Sequence, residues 1–353
     1  MKKTISIVST QMQLVHCIEY LMMHRSEFDN NLLIICSSGK RRREQIEHLL
    51  KMPIYSTVFN RIERVYYGSN SLICGYWEKI KLRVKLLYIS RQKYDVFIIG
   101  NYLSIYDRFA YYKCWQSNRQ IRIVAVDDGL AATMANQQRE EEIKEGRYKP
   151  EVPSAFDRLL FLSLCHGIDL VVPHSVCFFT IYQDLNYFGK DTVEVCKYQY
   201  LLSVSKHQDE LDDEGCIIIA GQPMVAEKLL TRERYNYVLI NYIEEMCDQY
   251  QKRVIYVPHP IERIEEQLDE QLLRLIRIER PDLPFEIWAM SKNPKRVVGL
   301  YSSVLINMHN MCPLIEVHSL YPKEIHCSSK IELACYKRVY DEIQDQGITR
   351  IYC

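Results

Sequence analysis

The sequence predicts an α/β protein of two domains, and three observations carry that prediction. Short, near-continuous apolar runs alternate with helix-length stretches along the whole chain, as strands covered on both faces of a parallel sheet require. The 353 residues are enough for two cores of ordinary size. A polar stretch from Val204 to Gly215, containing His207-Gln208-Asp209-Glu210 and Asp212-Asp213-Glu214, has no apolar period and marks a linker. The expected domains are therefore residues 1–205 and 206–353.

Taken in order, strands are expected at Thr4–Ser9, Leu32–Cys36, Val96–Gly100, Ile121–Val126 and Leu170–Pro173 in the first half. In the second half they are expected at Ile217–Ala220, Val254–Val257, Val297–Leu300 and Leu314–Val317. Gln11–His24 and Arg42–Lys51 read as the first two helices, the second stopped by Pro53, and Ile331–Gln344 reads as a closing C-terminal helix. Neither a repeat nor a low-complexity segment interrupts the pattern.

Bulk properties narrow the function. Lys plus Arg and Asp plus Glu both total 45, so no global field draws the protein to nucleic acid. The 13 cysteines form no CxxC pair, and no two lie close enough together with a His to make the usual ligand spacing, which disfavours a metal cluster and suits free thiols in a reducing compartment. Met-Lys-Lys runs straight into a strand pattern, without room for a signal peptide. No apolar run reaches membrane-spanning length. A cytoplasmic protein is expected, meeting a membrane from its surface if at all. The basic, partly apolar stretch from Trp77 to Lys93 and the run Lys40-Arg41-Arg42-Arg43 allow a peripheral contact with the anionic inner leaflet; a solvated helix face is the alternative.

In open α/β sheets, reactive groups gather beyond the carboxyl ends of strands. After Ile121–Val126 come Asp127, Asp128 and Gly129. Adjacent carboxylates crowd charge there, and one of them can serve as general base toward a hydroxyl, although a solvated turn has the same composition. After Val254–Val257 come Pro258, His259 and Pro260. The prolines hold the imidazole in one direction, suited to a departing phosphate or merely to packing. After Val297–Leu300 come Tyr301, Ser302 and Ser303 at a predicted helix start, where hydroxyls and N–H groups make either a phosphate cradle or an ordinary cap. Gly221 and Gln222 follow Ile217–Ala220, where glycine permits close approach of a ligand and Gln can read a base or a sugar. Asn101 follows Val96–Gly100 and is the acceptor-side candidate; Tyr66-Tyr67, Tyr76-Trp77, Tyr102, Tyr106 and Tyr111-Tyr112 could stack on sugars or fill core edges.

In order, Asp127-Asp128-Gly129, His259-Pro260 and Ser302-Ser303 resemble the three short motifs shared by bacterial sialyltransferases. The flanks Ile219-Ala220-Gly221-Gln222-Pro223, Ile255-Tyr256-Val257-Pro258-His259-Pro260 and Leu300-Tyr301-Ser302-Ser303-Val304-Leu305-Ile306-Asn307 are similar to the lipooligosaccharide and capsule sialyltransferase family. Ser9-Thr10-Gln11-Met12-Gln13-Leu14 resembles that family's Thr-Pro-x-Gln-Leu opening, with Gln11 in place of Pro. The resemblance implies a GT-B fold of two Rossmann-like domains facing a central cleft. The first domain would carry the base and the acceptor, the second the donor. It further implies inverting, metal-independent transfer of sialic acid from CMP-sialic acid to a galactoside or sialoside hydroxyl of lipooligosaccharide or capsule. Asp128 is then the general base and His259 the group on the leaving phosphate. Ser302 and Ser303 hold phosphate oxygens; Gly221, Gln222 and Pro258 line the donor pocket; Glu286 matches a carboxylate that binds the donor ribose. Gln13, Asn101 and Asp127 fall on the acceptor side. Val257 stands where some relatives carry a Lys.

No metal ligand and no cofactor is expected, since a monophosphate leaving group can be met by a His and a helix N-terminus. The partners are a CMP-sugar donor and an oligosaccharide or glycolipid acceptor, without nucleic acid; a homodimer stays open. Another CMP-linked acid sugar, such as Kdo, or a nucleoside diphosphate hexose is the alternative donor. A sugar-binding scaffold that has lost catalysis is the alternative class.

Overall fold

The computed structural model describes the chain apart from residues 1, 39, 53–54, 56, 68–71, 90, 127–130, 148–171, 183–187, 206–214, 251–253, 261, 324 and 326–329. The chain divides into two compact units, Met1–Leu201 and Leu202–Cys353, and each contains one parallel sheet. The first sheet comprises β1 (Lys2–Val8), β2 (Phe28–Ser38), β3 (Arg61–Tyr67), β4 (Val96–Ile99), β5 (Arg122–Val126), β6 (Val176–Thr180) and β7 (Thr192–Val195), in the order β3-β2-β1-β4-β5-β6-β7. The second comprises β8 (Ile217–Ala220), β9 (Val254–Val257), β10 (Arg277–Ile278), β11 (Arg296–Gly299), β12 (Glu316–Tyr321) and β13 (Thr349–Tyr352), in the order β10-β9-β8-β11-β12-β13.

Sequence explains the central strands directly. β4 is Val-Phe-Ile-Ile, β8 is Ile-Ile-Ile-Ala and β9 is Val-Ile-Tyr-Val, and every residue of all three is buried. β-Branched and aromatic side chains fill both faces of such a strand, as helices packed on either side of a parallel sheet demand. In the second unit the helices Arg232–Tyr250 and Lys330–Asp345 supply Tyr235, Leu239, Tyr242, Tyr336 and Tyr340 to the core.

The order of strands fixes where chemistry can occur. The chain runs outward from β1 through β2 to β3 and then returns to place β4 on the other side of β1. The second sheet repeats this, running from β8 through β9 to β10 and returning to place β11 beside β8. Connections leaving neighbouring strands in opposite directions open a crevice at their carboxyl ends. Each unit therefore has one switch point: β1 with β4, and β8 with β11.

Two strands lie elsewhere than the apolar runs predict. Of Leu170–Pro173, the first two residues lie outside the described residues and Val172-Pro173 is not strand; the strand forms at Val176–Thr180 instead. Pro173 has no N–H to give a ladder. Similarly, Leu314 is 98 % exposed, and β12 begins at Glu316 and continues through His318 and Ser319. The expected linker falls largely on 206–214, outside the described residues. Among the described residues no helix is long and apolar enough to cross a membrane.

Candidate active site residues

At the second switch point, main chain and side chains from three strand ends are joined by hydrogen bonds. Gly221 follows β8, and its N–H extends the ladder to Val257 O at 2.8 Å. A Cβ on Gly221 would stand 2.6 Å from both Glu262 Oε2 and the Tyr256 hydroxyl. The glycine is thus required by the protein's own interior, a requirement the sequence reading assigned to a ligand. Gln222 is buried; its Oε1 accepts Tyr301 N–H at 2.9 Å, its Nε2 donates to Tyr301 O, and its main-chain O accepts from Gln267 Nε2 at 2.6 Å. The amide expected to read a base or sugar is therefore engaged by the end of β11 on both oxygen and nitrogen.

The turn after β9 is closed in both directions. His259 N–H donates to Glu262 Oε2 at 2.9 Å, and Glu262 N–H donates to His259 O at 2.9 Å. Pro258 is buried while His259 and Pro260 are exposed, so the backbone is fixed and the imidazole is presented to solvent. Glu262 is only 4 % exposed. Its Oε1 accepts from the Tyr256 hydroxyl and, at 2.8 Å, from Gln267 Nε2. Burial pushes its carboxyl up to about 7, against the opposing hydrogen bonds from Tyr256 and His259 N–H and the charge of Arg280.

Beyond β11, Ser302 caps the helix Ser303–Met311, its hydroxyl accepting Val304 N–H at 3.3 Å. Ser303 is the first helical residue and, like Ser302, is half-buried. The pair brings N–H groups and hydroxyls to the positive end of a helix, which favours an anion. Glu286, near the start of the helix Phe285–Ser291, is tied to this same helix: its Oε1 accepts Asn307 Nδ2 at 2.6 Å. Burial raises the Glu286 carboxyl above its ordinary value. Asn307 Oδ1 is buried without a hydrogen-bond partner among the described residues.

At the first switch point, Thr10 caps the helix Gln11–Met23, its Oγ1 accepting Gln13 N–H at 3.2 Å. The buried Gln13 side chain turns back so that its Oε1 accepts Ser9 N–H at 2.6 Å. A Cβ on Gly100 would lie 2.5 Å from that oxygen, so Gln13 bridges the ends of β1 and β4. Asn101 Oδ1 accepts Leu103 N–H at 3.1 Å, and its own N–H reaches Asp107 Oδ2 at 3.3 Å. Burial pushes the Asp107 carboxyl up to about 7 despite the Ser104 hydroxyl, 3.0 Å away, and the Asn101 N–H.

Asp127 and Asp128 lie outside the described residues. The strand before them, β5, and the helix after them, Ala131–Glu145, are described. That helix is anchored by buried charges. Arg139 grips Asp191 through two hydrogen bonds of 2.8 and 2.9 Å, Arg108 meets Glu142 at 3.0 Å, and the Tyr102 hydroxyl donates to Glu142 at 2.9 Å. Sequence reasoning missed Glu262, Asp107 and this network. The spacing of Glu262 three residues after His259 was the available signal for the first. Among the described residues no group of three or more His, Cys, Asp or Glu is arranged to hold a metal ion.

Two parallel Rossmann-like sheets, each with one switch point, define a GT-B-like α/β protein of the kind found in glycosyltransferases and nucleotide-sugar epimerases. The family described as Alpha-2,8-polysialyltransferase (POLYST) matches residues 4–321, and the chain belongs to that family; it is a glycosyltransferase. No curated protein matches the chain. Among solved structures, a sialyltransferase from Photobacterium damsela is 12 % identical, covering 99 % of this chain and 81 % of that one with a TM-score of 0.52. UDP-N-acetylglucosamine 2-epimerase from Rickettsia bellii is 14 % identical, covering 97 % and 88 % with a TM-score of 0.52. S. aureus MnaA, in a co-structure with UDP, is 12 % identical, covering 98 % and 88 %, also at 0.52. At these identities the likeness is one of fold.

Proposed function

We propose that the protein is an inverting, metal-independent polysialyltransferase that takes sialic acid from CMP-sialic acid and extends an α-2,8-linked chain on a sialylated acceptor, as part of making a capsule polysaccharide. The observation that carries this reading is the joining of the His-Pro turn to the Tyr301-Ser302-Ser303 turn at the switch point of the second sheet, in a chain of this family. Residues 206–353 bind the donor and residues 1–205 the acceptor.

Asp128 takes the proton from the acceptor hydroxyl as the new bond forms to the anomeric carbon of sialic acid. The bond from that carbon to the phosphate oxygen breaks on the opposite face, which inverts the configuration. CMP departs, with His259 donating a hydrogen bond or a proton to its phosphate. Ser302 and Ser303 hold other phosphate oxygens at the helix N-terminus, where fixed dipoles meet developing charge. Glu286 accepts from a ribose hydroxyl, and Asn307 Oδ1 beside it, without a partner among the described residues, is a second acceptor. Gly221, Gln222 and Pro258 shape the donor pocket, while Gln13, Asn101 and Asp127 contribute to the acceptor side. The enzyme acts in the cytoplasm, and the helix Leu72–Ile89 provides its membrane contact. Trp77, Val84 and Tyr88 are 61, 61 and 66 % exposed, and with exposed Lys81 they follow helical spacing on one face, the composition of an interfacial helix.

The test is CMP release from CMP-sialic acid in EDTA, with sialylated oligosaccharides, lactose and other galactosides offered in parallel. Release stimulated by sialylated acceptors, with products longer than one addition, is expected. Release only with CMP-Kdo or with a nucleoside diphosphate hexose would replace the proposed donor.

A further inference from the structure

We infer that Glu262 is the positioning residue of the donor site: its buried carboxylate holds the His-Pro turn by the main-chain N–H of His259 and couples that turn, through Gln267 and Gln222, to the turn that carries Ser302 and Ser303. This rests on the reading that His259 meets the donor phosphate.

The path is continuous. Glu262 Oε2 accepts His259 N–H at 2.9 Å; Gln267 Nε2 donates both to Glu262 Oε1 at 2.8 Å and to Gln222 O at 2.6 Å. Gln222 then closes on the main chain of Tyr301, accepting its N–H at 2.9 Å. Three strand ends, β8, β9 and β11, are thereby linked through one carboxylate. A purely structural plug at this position has no need of a charge, since a buried carboxylate is costly unless several donors converge on it. Here three donors do converge, and the residue opposite has given up its side chain: a Cβ on Gly221 would stand 2.6 Å from Glu262 Oε2. In a phosphate-leaving reaction, displacement of the acid or anion-binding group by about 1 Å costs on the order of 10²-fold in rate.

Among the described residues, few groups face Glu262. Tyr256 comes from β9, Tyr235 from the helix Arg232–Tyr250 behind it, with its hydroxyl 2.8 Å from that of Tyr256, and Gln267 from the helix Ile264–Gln267. Arg280 is the cation that bears on it. Burial holds both phenols above their ordinary values, so they stay neutral while Glu262, pushed up to about 7, changes charge. Below that pH the carboxylate gains a proton, its hold on the His259 N–H weakens, and turnover falls. Stability has the opposite sign: the folded state binds the extra proton between the ordinary carboxylate range and about 7, so this group's contribution declines as pH rises through that window.

The experiment uses the full chain and the variants Glu262→Gln, Glu262→Ala and Tyr235→Phe. The NMR shift of the His259 main-chain amide is followed against pH, and kcat, donor KM and melting temperature are measured for CMP release. In the native chain the amide should titrate with a midpoint near 7, together with an acid limb in kcat. In Glu262→Gln the acid limb should vanish and the amide should keep only the shift imposed by its own imidazole, which this variant shows separately, while Glu262→Ala loses about 10- to 100-fold in kcat. Tyr235→Phe should lower the melting temperature and keep the acid limb. Persistence of the limb together with an amide titration in Glu262→Gln identical to that of the native chain would overturn the inference, as would losses in Glu262→Ala that only follow the unfolded fraction. Absence of CMP release by the native chain with every acceptor contradicts the sialyl-transfer reading instead, and the amide titration still decides whether Glu262 holds His259.

Discussion

The carboxyl edges of the two sheets solve the same problem with different chemistry. In each, a Gln that follows the first strand reaches the end of the fourth: Gln13 packs onto Gly100, and Gln222 bonds the main chain of Tyr301. In each, a buried carboxylate raised to about 7 supports a turn, Asp107 under Asn101 and Glu262 under His259. The units differ in their buried charge. In the first, two guanidinium groups, Arg108 and Arg139, are matched by Glu142 and Asp191, and Asp191 accepts Val176 N–H at 2.8 Å at the amino end of β6. Behind β9 of the second sheet stands the one carboxylate of Glu262, held by neutral donors. Both edges thus hold a carboxylate that can exchange a proton near neutral pH, Asp107 and Glu262, and the first unit adds a buried charged network that ties its helices together.

The largest expected effect falls on the proposed base. Asp128→Ala should lower transfer by about 10²–10⁴-fold, with CMP affinity measured by calorimetry nearly intact, because the base acts on the acceptor. Loss of CMP affinity with normal turnover at saturation would reverse the division of labour between the units. Next comes the charged network. Arg139→Ala leaves the Asp191 carboxylate buried and unmatched, and urea unfolding should show a loss of about 3–5 kcal/mol; a loss below 1 kcal/mol would mean that the network relaxes into water.

Smaller effects separate the two glycines. Gly221→Ala drives a Cβ against Glu262 and Tyr256, both buried, whereas Gly100→Ala meets the Gln13 side chain and Ile7 O. Both should destabilise by about 1–3 kcal/mol, but only Gly221→Ala should lower kcat measured at saturating donor. Ser303→Ala should raise the donor KM several-fold and spare kcat; an unchanged KM would reduce the helix start to a cap. The smallest effect concerns the exposed helix face. Combined Trp77→Ala and Tyr88→Ala should weaken flotation with anionic vesicles while leaving transfer to soluble acceptors unaltered, and undiminished flotation would place the membrane contact elsewhere.

The legible part of the fold was its centre. β1, β2, β4 and β5 in the first sheet and β8, β9 and β11 in the second stand out as apolar runs because helices cover both of their faces. Of the five strands that no expected apolar run covers, β3, β6, β7, β10 and β13, all but β6 are sheet edges. Arg-Ile-Glu-Arg-Val-Tyr-Tyr in β3 and Thr-Val-Glu-Val in β7 mix charges with apolar residues, as an edge that must resist further pairing does. Of the candidate site, His259, Ser302 and Ser303 were readable because short polar motifs interrupt apolar strands at their carboxyl ends. Gly221 and Gln222 were singled out for contact with a ligand, whereas their visible partners belong to the protein. Glu262 and Asp107 stayed hidden because an acid beside an Arg, as in Glu262-Arg263 and Asp107-Arg108, reads as a solvated pair; only the packing of Tyr256 and Gln267, or of Ser104 and Asn101, encloses it.

Product length is the most direct test of α-2,8-linked chain extension. Incubated in EDTA with CMP-sialic acid and a fluorescent sialylated acceptor, and analysed for product length by chromatography, the protein should release CMP and yield a ladder of α-2,8-linked extensions. Binding of CMP with neither release nor extension on any sialylated acceptor would contradict it.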